Sequence, residues 1–328
     1  MPAAPTLAEL APEERLRRLE LVVSRRLDGL LHGQHTGLLP GPGTELRGSR
    51  EYRPGEDEVR RMDWAVTART AVPHVREMDA DRELSTWLLV DVTASMDFGT
   101  AHLDKRELAV AAAAAVGFLA AGSGNRLGAH LVGADGVRRF PARPGREHLL
   151  GLLRTLLAGQ RGSGEGRPAG LAEAIDGLNR GAPRRGLAVV VSDFLDGLAD
   201  DGDTDATVAP DWEQPLRRLG ARHQVLAVEV VDPREMELPD VGIITLLDPE
   251  TGLRREVSTG SRAVRERFAA AARRQRRVIE RALRRAGAGH LVLRTDRDWV
   301  TDVVRHVHQQ RRMAGAARPP VRQPGGAA

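Results

Sequence analysis

The 328-residue sequence has no cysteine, one lysine among 49 basic residues, and few aromatics: four Trp, five Phe and one Tyr. Lack of cysteine removes disulfides, thiolate metal sites and cysteine nucleophiles together, so any chemistry must use oxygen or imidazole groups. Scarce aromatics count against a surface that stacks nucleic-acid bases. The longest alanine-rich run, residues 108–121, stops short of the roughly 20 residues that span a bilayer, and Arg106 and Asn125 flank it. The N-terminus opens Pro-rich and acidic, without a basic segment leading into an apolar one. No secretion signal is therefore expected, and the cytoplasm is the expected compartment. A formal charge of +4 carried almost wholly by arginine reads as a compositional bias, so nucleic acid is not an expected partner.

With 41% hydrophobic residues, the chain can bury a full core. From residue 84 onward short apolar runs alternate with helical patterns. Strands are expected at 86–92, 127–132, 187–192, 224–231, 242–247 and 290–293, and helices at 104–121, 146–157, 170–179, 212–219 and 262–286. Such alternation predicts an α/β fold: a doubly wound, mostly parallel sheet, Rossmann-like, with helices on both faces. Three parts follow: an N-terminal extension over 1–83, the α/β domain over 84–310, and a disordered Arg/Pro/Gly tail over 311–328. The extension opens with a helical pattern over 6–31 that should pack on another element, and it continues into an arginine-dense polar box over 47–69.

Chemistry concentrates at the end of the first apolar run, Leu88-Leu89-Val90-Asp91-Val92-Thr93-Ala94-Ser95. Open α/β sheets bind ligands at the carboxyl ends of their strands. Carboxylate plus hydroxyl suits a hard cation such as Mg²⁺. Asp91, Thr93 and Ser95 are thus candidate metal ligands, and Asp193, directly after the apolar run 187–192, is a fourth if the two strands are neighbours. The plainer alternative is that the hydroxyls and Asp193 cap helices or turns.

The five residues Asp91 to Ser95 resemble the Asp-x-Ser/Thr-x-Ser metal-ion-dependent adhesion site of von Willebrand factor type A domains, and Asp193 is similar to the aspartate those domains place on a later strand end. The box is similar to the signature of the DUF58 family, through Arg50, Glu51, Tyr52, Arg53, Pro54, Gly55, Glu56, Asp57, Arg60, Met62, Asp63, Trp64, Ala68 and Arg69. The resemblance implies a von Willebrand A-like domain, a bound Mg²⁺ or Mn²⁺, and work as an adaptor beside a MoxR-type AAA+ ATPase in assembling or activating a client protein complex. It implies no enzymatic activity. One ligand is missing: where the A-domain pattern has a Thr, residues 164–171 contain none, Ala169 stands near its place, only Ser163 is close, and Arg167 could put a positive charge there.

The box residues Arg50, Tyr52, Arg53, Asp57, Arg60, Asp63, Trp64 and Arg69 are candidates for partner binding. The alternative is a buried network with Arg53, Arg60 and Arg69 forked onto Asp57 and Asp63, and Trp64 packed on the sheet. Among other functions, a haloacid-dehalogenase-like phosphatase with Asp91 as nucleophile ranks second. It lacks the acid two residues on, where Thr93 stands, and its only lysine would be Lys105. A nucleotide switch lacks a Gly-Lys-Ser/Thr loop; Gly122-Ser123-Gly124 follows a helical pattern instead. The basic side of the 262–286 helix reads as a solvated face, although a peripheral membrane contact stays open, and His32, His35 and His74 lack metal-ligand spacing.

Overall fold

A computed structural model of the chain describes residues 12–23, 46–52, 62–78, 85–101, 103–120, 125–159, 169–198, 208–247 and 253–316. Its centre is a six-stranded sheet built from β3 (Ser85–Asp91), β4 (Arg126–Gly133), β5 (Gly136–Pro144), β6 (Gly186–Ser192), β7 (Gln224–Val231) and β10 (Gly289–Arg294). Spatial order is β10-β7-β6-β3-β4-β5, parallel throughout except where β5 returns antiparallel to β4. Counted from the β5 edge, the strands occur in chain order 3-2-1-4-5-6, the doubly wound order whose reversal lies between the first and fourth strands, here β3 and β6.

Alternation along each strand feeds two separate apolar layers. Leu88 and Val90 of β3, Val189 and Val191 of β6, and Leu226, Val228 and Val230 of β7 face one layer. It is closed by α1 (Pro12–Val22), α3 (Lys105–Ala120), α4 (Arg146–Ala158) and α9 (Trp299–Ala316). Trp87, Leu89, Ala188, Val190, Val225 and Ala227 face the other, under α5 (Leu171–Gly181), α6 (Glu213–Gly220) and α8 (Arg262–Arg285). Burial on both faces is why these strands read as continuous apolar runs.

Small residues set the closest approaches. A Cβ at Gly117 would lie 2.3 Å from Leu149 of α4, and one at Gly128 would lie 2.4 Å from the Trp87 ring.

Two smaller sheets lie apart. β1 (Leu46–Glu51) pairs antiparallel with β2 (His74–Met78), and α2 (Trp64–Thr70) lies between them in sequence. β8 (Ile243–Leu247) and β9 (Arg254–Ser258) form an antiparallel hairpin. The run expected at 242–247 is therefore not a sheet strand of the alternating series. Its apolar side chains stand outside the core, with Ile243, Leu247 and the nearby Leu253 exposed. The early helix packs as expected, with Leu16, Leu19 and Val23 inside the larger apolar layer. Its other expected residues, 6–11 and 24–31, lie outside the described set. At the other end α9 continues past Arg311 to Ala316; 317–328 lie outside the described residues.

Candidate functional site

The parallel register pairs Val90 with Val191, so the next residues on both strands, Asp91 and Ser192, emerge side by side at the reversal point. Ser192 Oγ donates to Asp91 Oδ2 at 2.7 Å. Thr93 donates twice to Asp91 Oδ1, from its backbone N–H at 3.0 Å and from Oγ1 at 2.6 Å. Thr93 Oγ1 and Ser95 Oγ lie 3.2 Å apart, at the start of a 3₁₀ turn over Ala94–Asp97. The chain then bends sharply after Asp193. Phe194 adopts a left-handed backbone (φ 58°) and donates its N–H to Ser192 Oγ, while Leu195 N–H donates to Asp193 Oδ1 at 3.1 Å. The fold thus brings Asp91, Thr93, Ser95 and Asp193 to one rim, on neighbouring strands.

A fifth group reaches the same place from the first residue of α3. Lys105 Nζ lies 2.7 Å from Asp193 Oδ2 and 2.5 Å from Glu235 Oε1, with its side chain 1% exposed. Glu235 belongs to a one-turn helix, α7 (Pro233–Met236), which Asp232 caps reciprocally. Arg276 of α8 extends the network. It donates to the Asp193 carbonyl at 3.1 Å, to Glu229 Oε1 at 2.6 Å and to Glu235 Oε2 at 3.2 Å. His290 meets the other Glu229 oxygen at 2.6 Å. On the opposite flank Arg106 donates to Asp97 and, at 2.7 Å, to the Val92 carbonyl.

The two aspartates titrate in opposite directions. Burial, then the neighbouring Asp193 charge, push Asp91 above the ordinary carboxylate value, and the Thr93 and Ser192 hydrogen bonds offset this only in part. Burial would raise Asp193 too, but the charge and hydrogen bond of Lys105 outweigh it and hold Asp193 below its usual value. Burial likewise opposes charge on Lys105, and Asp193 with Glu235 overcome it, leaving the ammonium more basic than a free lysine.

Within this donor set Asp193 is not open to a divalent ion, because the Lys105 ammonium stands against its Oδ2 and Leu195 N–H against its Oδ1. Both Asp91 oxygens also accept hydrogen bonds. Among the described residues no three His, Asp or Glu side chains converge on one ion position. Near the place expected for the missing Thr, Leu171 N–H at the start of α5 donates to Asp196 Oδ2 at 2.6 Å. Ser163 and Arg167 lie outside the described residues.

The polar box lies elsewhere, beside the β1–β2 pair. Asp63 is buried, caps α2 through the N–H groups of Ala65 and Val66, and accepts from Ser49 Oγ at 2.7 Å. Tyr52 N–H donates to the Pro73 carbonyl. Arg69 is exposed and donates to the Ala65 carbonyl. Trp64, expected on the alternative reading to pack against the sheet, stands 65% exposed. Its place as first residue of α2, directly after the Asp63 cap, turns it outward. The side chains of Arg50, Arg53, Asp57 and Arg60 lie outside the described set, as do His32 and His35. His74 is tied into a local turn with Thr70 and the Val72 carbonyl.

Sequence reasoning missed Ser192, Glu229, Glu235 and Arg276, and gave Lys105 no place at the rim. Two signals were present: Ser192 directly precedes Asp193, and Lys105 is the sole lysine of an arginine-rich chain. Glu235 and Arg276 reach the rim from distant elements, which no local spacing reveals.

The family described as protein of unknown function DUF58 matches residues 48–278. An uncharacterised protein of Mycobacterium tuberculosis is 54% identical over 305 residues, covering 91% of this chain and 90% of its own length. An uncharacterised Mycobacterium avium protein is 45% identical over 182 residues, 56% of this chain and 99% of its own. Solved structures similar to the chain include an aerotolerance-related membrane protein from Bacteroides fragilis (TM-score 0.42, 13% identity, 70% of this chain and 99% of that one). A von Willebrand factor type A protein from Catenulispora acidiphila is another (TM-score 0.36, 11% identity, 73% and 43%).

Proposed function

The chain belongs to the DUF58 family, and on that footing we propose that it is a non-enzymatic protein-interaction module, cytoplasmic, that serves a MoxR-type AAA+ ATPase in assembling or activating a client complex. The observation that carries the interaction reading is Trp64. A large aromatic 65% exposed, on the first residue of a helix that buried Asp63 caps, has the chemistry of an interface anchor, since Trp is enriched in binding hot spots. The rim supports the non-enzymatic half. The position where a phosphatase of the haloacid-dehalogenase type keeps its acid holds Thr93, whose hydroxyl donates to Asp91 Oδ1. Among the described residues no helix is long and apolar enough to cross a membrane.

The test is binding between the purified full chain and the MoxR-type ATPase of the same genome, by calorimetry. Trp64→Ala should weaken association at least about tenfold, which is the effect of losing about 1.4 kcal/mol, with the melting temperature unchanged. Undiminished binding by Trp64→Ala removes the anchor role. Aryl-phosphate turnover that disappears in Asp91→Asn would establish the enzyme reading instead.

A further inference from the structure

We propose that Lys105 is a built-in cation that takes the place of a divalent metal at the β3/β6 rim, so that the rim keeps its shape without Mg²⁺ or Mn²⁺. Three independent observations meet here. First, the ammonium bonds Asp193 and Glu235 together from a side chain that is 1% exposed, drawing in carboxylates from β6's end and from α7 as a shared ion would. Second, the carboxylate oxygens of both aspartates already have donors from the protein itself. Thr93 Oγ1 points its proton at Asp91, Ser192 Oγ does the same from the other side, and Leu195 N–H takes the second Asp193 oxygen. Third, each of the three carboxylates already has a cationic partner, Lys105 for Asp193 and Glu235 and Arg276 for Glu229 and Glu235.

The chemistry also accounts for the residue type. Every other basic side chain among the 49 is arginine, yet a planar guanidinium with a five-donor fork cannot replace a compact ion. An ammonium is a small point charge with three donors, the nearest side-chain equivalent of a spherical cation. A partner's carboxylate then has no coordination position to fill at this rim, and recognition here is insensitive to chelators. The inference stands apart from the choice of partner, because it is read on the isolated protein and holds or fails whether or not the ATPase binds.

The experiment is thermal unfolding of the purified full chain in EDTA and in millimolar MgCl₂ or MnCl₂, with Mn²⁺ binding followed in parallel by water-proton relaxation. The wild-type midpoint should be the same in all three solutions, and the relaxation rate should be that of free Mn²⁺. Lys105→Ala should melt lower in EDTA and regain several degrees when Mn²⁺ is added, because it reopens an anionic cavity; Lys105→Arg should melt low without regaining. A wild-type midpoint raised by Mg²⁺ or Mn²⁺, with the rise lost in Asp193→Ala, overturns the proposal. So does a folded Lys105→Ala protein that gains nothing from Mn²⁺. If Lys105→Ala does not fold, wild-type relaxation decides alone: enhancement refutes, its absence supports.

Discussion

Replacing Lys105 by methionine tests how much of the rim's stability rests on one ammonium. Methionine keeps length and apolar stem but leaves Asp193, 2% exposed, with its Oδ2 unpaired, and removes one partner of Glu235. Removing one member of a buried pair costs about 3–5 kcal/mol, because an uncompensated charge stays behind. For a domain of this size each kcal/mol shifts the midpoint by about 2–4 °C, so Lys105→Met should melt about 6–20 °C lower at neutral pH. The exposed pair Arg262–Glu266, 85% and 64% accessible, is the control. Such pairs are worth about 0.3–0.5 kcal/mol, and Arg262→Met should move the midpoint by less than about 2 °C. The double variant Lys105→Met/Asp193→Asn removes the stranded charge along with its partner, and it should recover most of the loss, since neutral replacement of a whole buried pair is often close to neutral. Differential scanning calorimetry on the four proteins reads all of this. A Lys105→Met midpoint within about 3 °C of wild type, or a double variant no better than the single one, refutes the reasoning.

Other substitutions follow from the same geometry. Asp91→Asn should melt at or above the wild-type midpoint at pH 7: burial and Asp193 raise the Asp91 carboxyl, so its charge costs stability at neutral pH, and the advantage of Asn should vanish as pH falls toward the ordinary carboxylate value. A lower Asn midpoint at pH 7 would contradict this. His130 is held at about 4, first by burial and then by the Arg139 charge, against an ordinary 6.5. A folded value below the unfolded one means stability that is complete above 6.5 and falls on acidification toward 4, by up to about 3 kcal/mol at 1.36 kcal/mol per unit. Urea midpoints across that range should fall more steeply in the wild type than in His130→Gln. Gly128→Ala should destabilise by about 1–3 kcal/mol, the cost of overpacking, because its Cβ would fall 2.4 Å from the Trp87 ring; pairing it with Trp87→Leu should relieve the loss.

The strands buried on both faces were legible because continuous apolar runs have few other uses: β7 begins and ends at the expected residues, β3 is displaced by one residue at both ends, and β6 begins one residue early. β5 was not legible. It is an edge strand whose sequence alternates arginine with Pro141 and Pro144, and only an edge tolerates proline, since no neighbour needs the missing N–H. The same holds for β9, an arginine-rich partner in an exposed hairpin. In the opposite direction, the apolar run of β8 suggested a core strand, but it lies in that hairpin, outside the alternating series. At the rim, the aspartates and hydroxyls were legible because they sit at strand ends. Their neutralising charge was not, because Lys105, Glu235 and Arg276 come from three separate helices and meet only after the sheet has wound.

The seating of α1 has a consequence for how the chain can be divided. Leu16, Leu19 and Val23 share one apolar layer with α3 and α4, so a fragment cut to begin at the sheet would leave a greasy seam along both helices open to water. Such a fragment should self-associate or stick to chaperones, and adding the first helix back as a separate peptide should cure it. The opening helix is a lid screwed onto the α/β body, and it cannot double as a free arm reaching for a partner while the body stays folded.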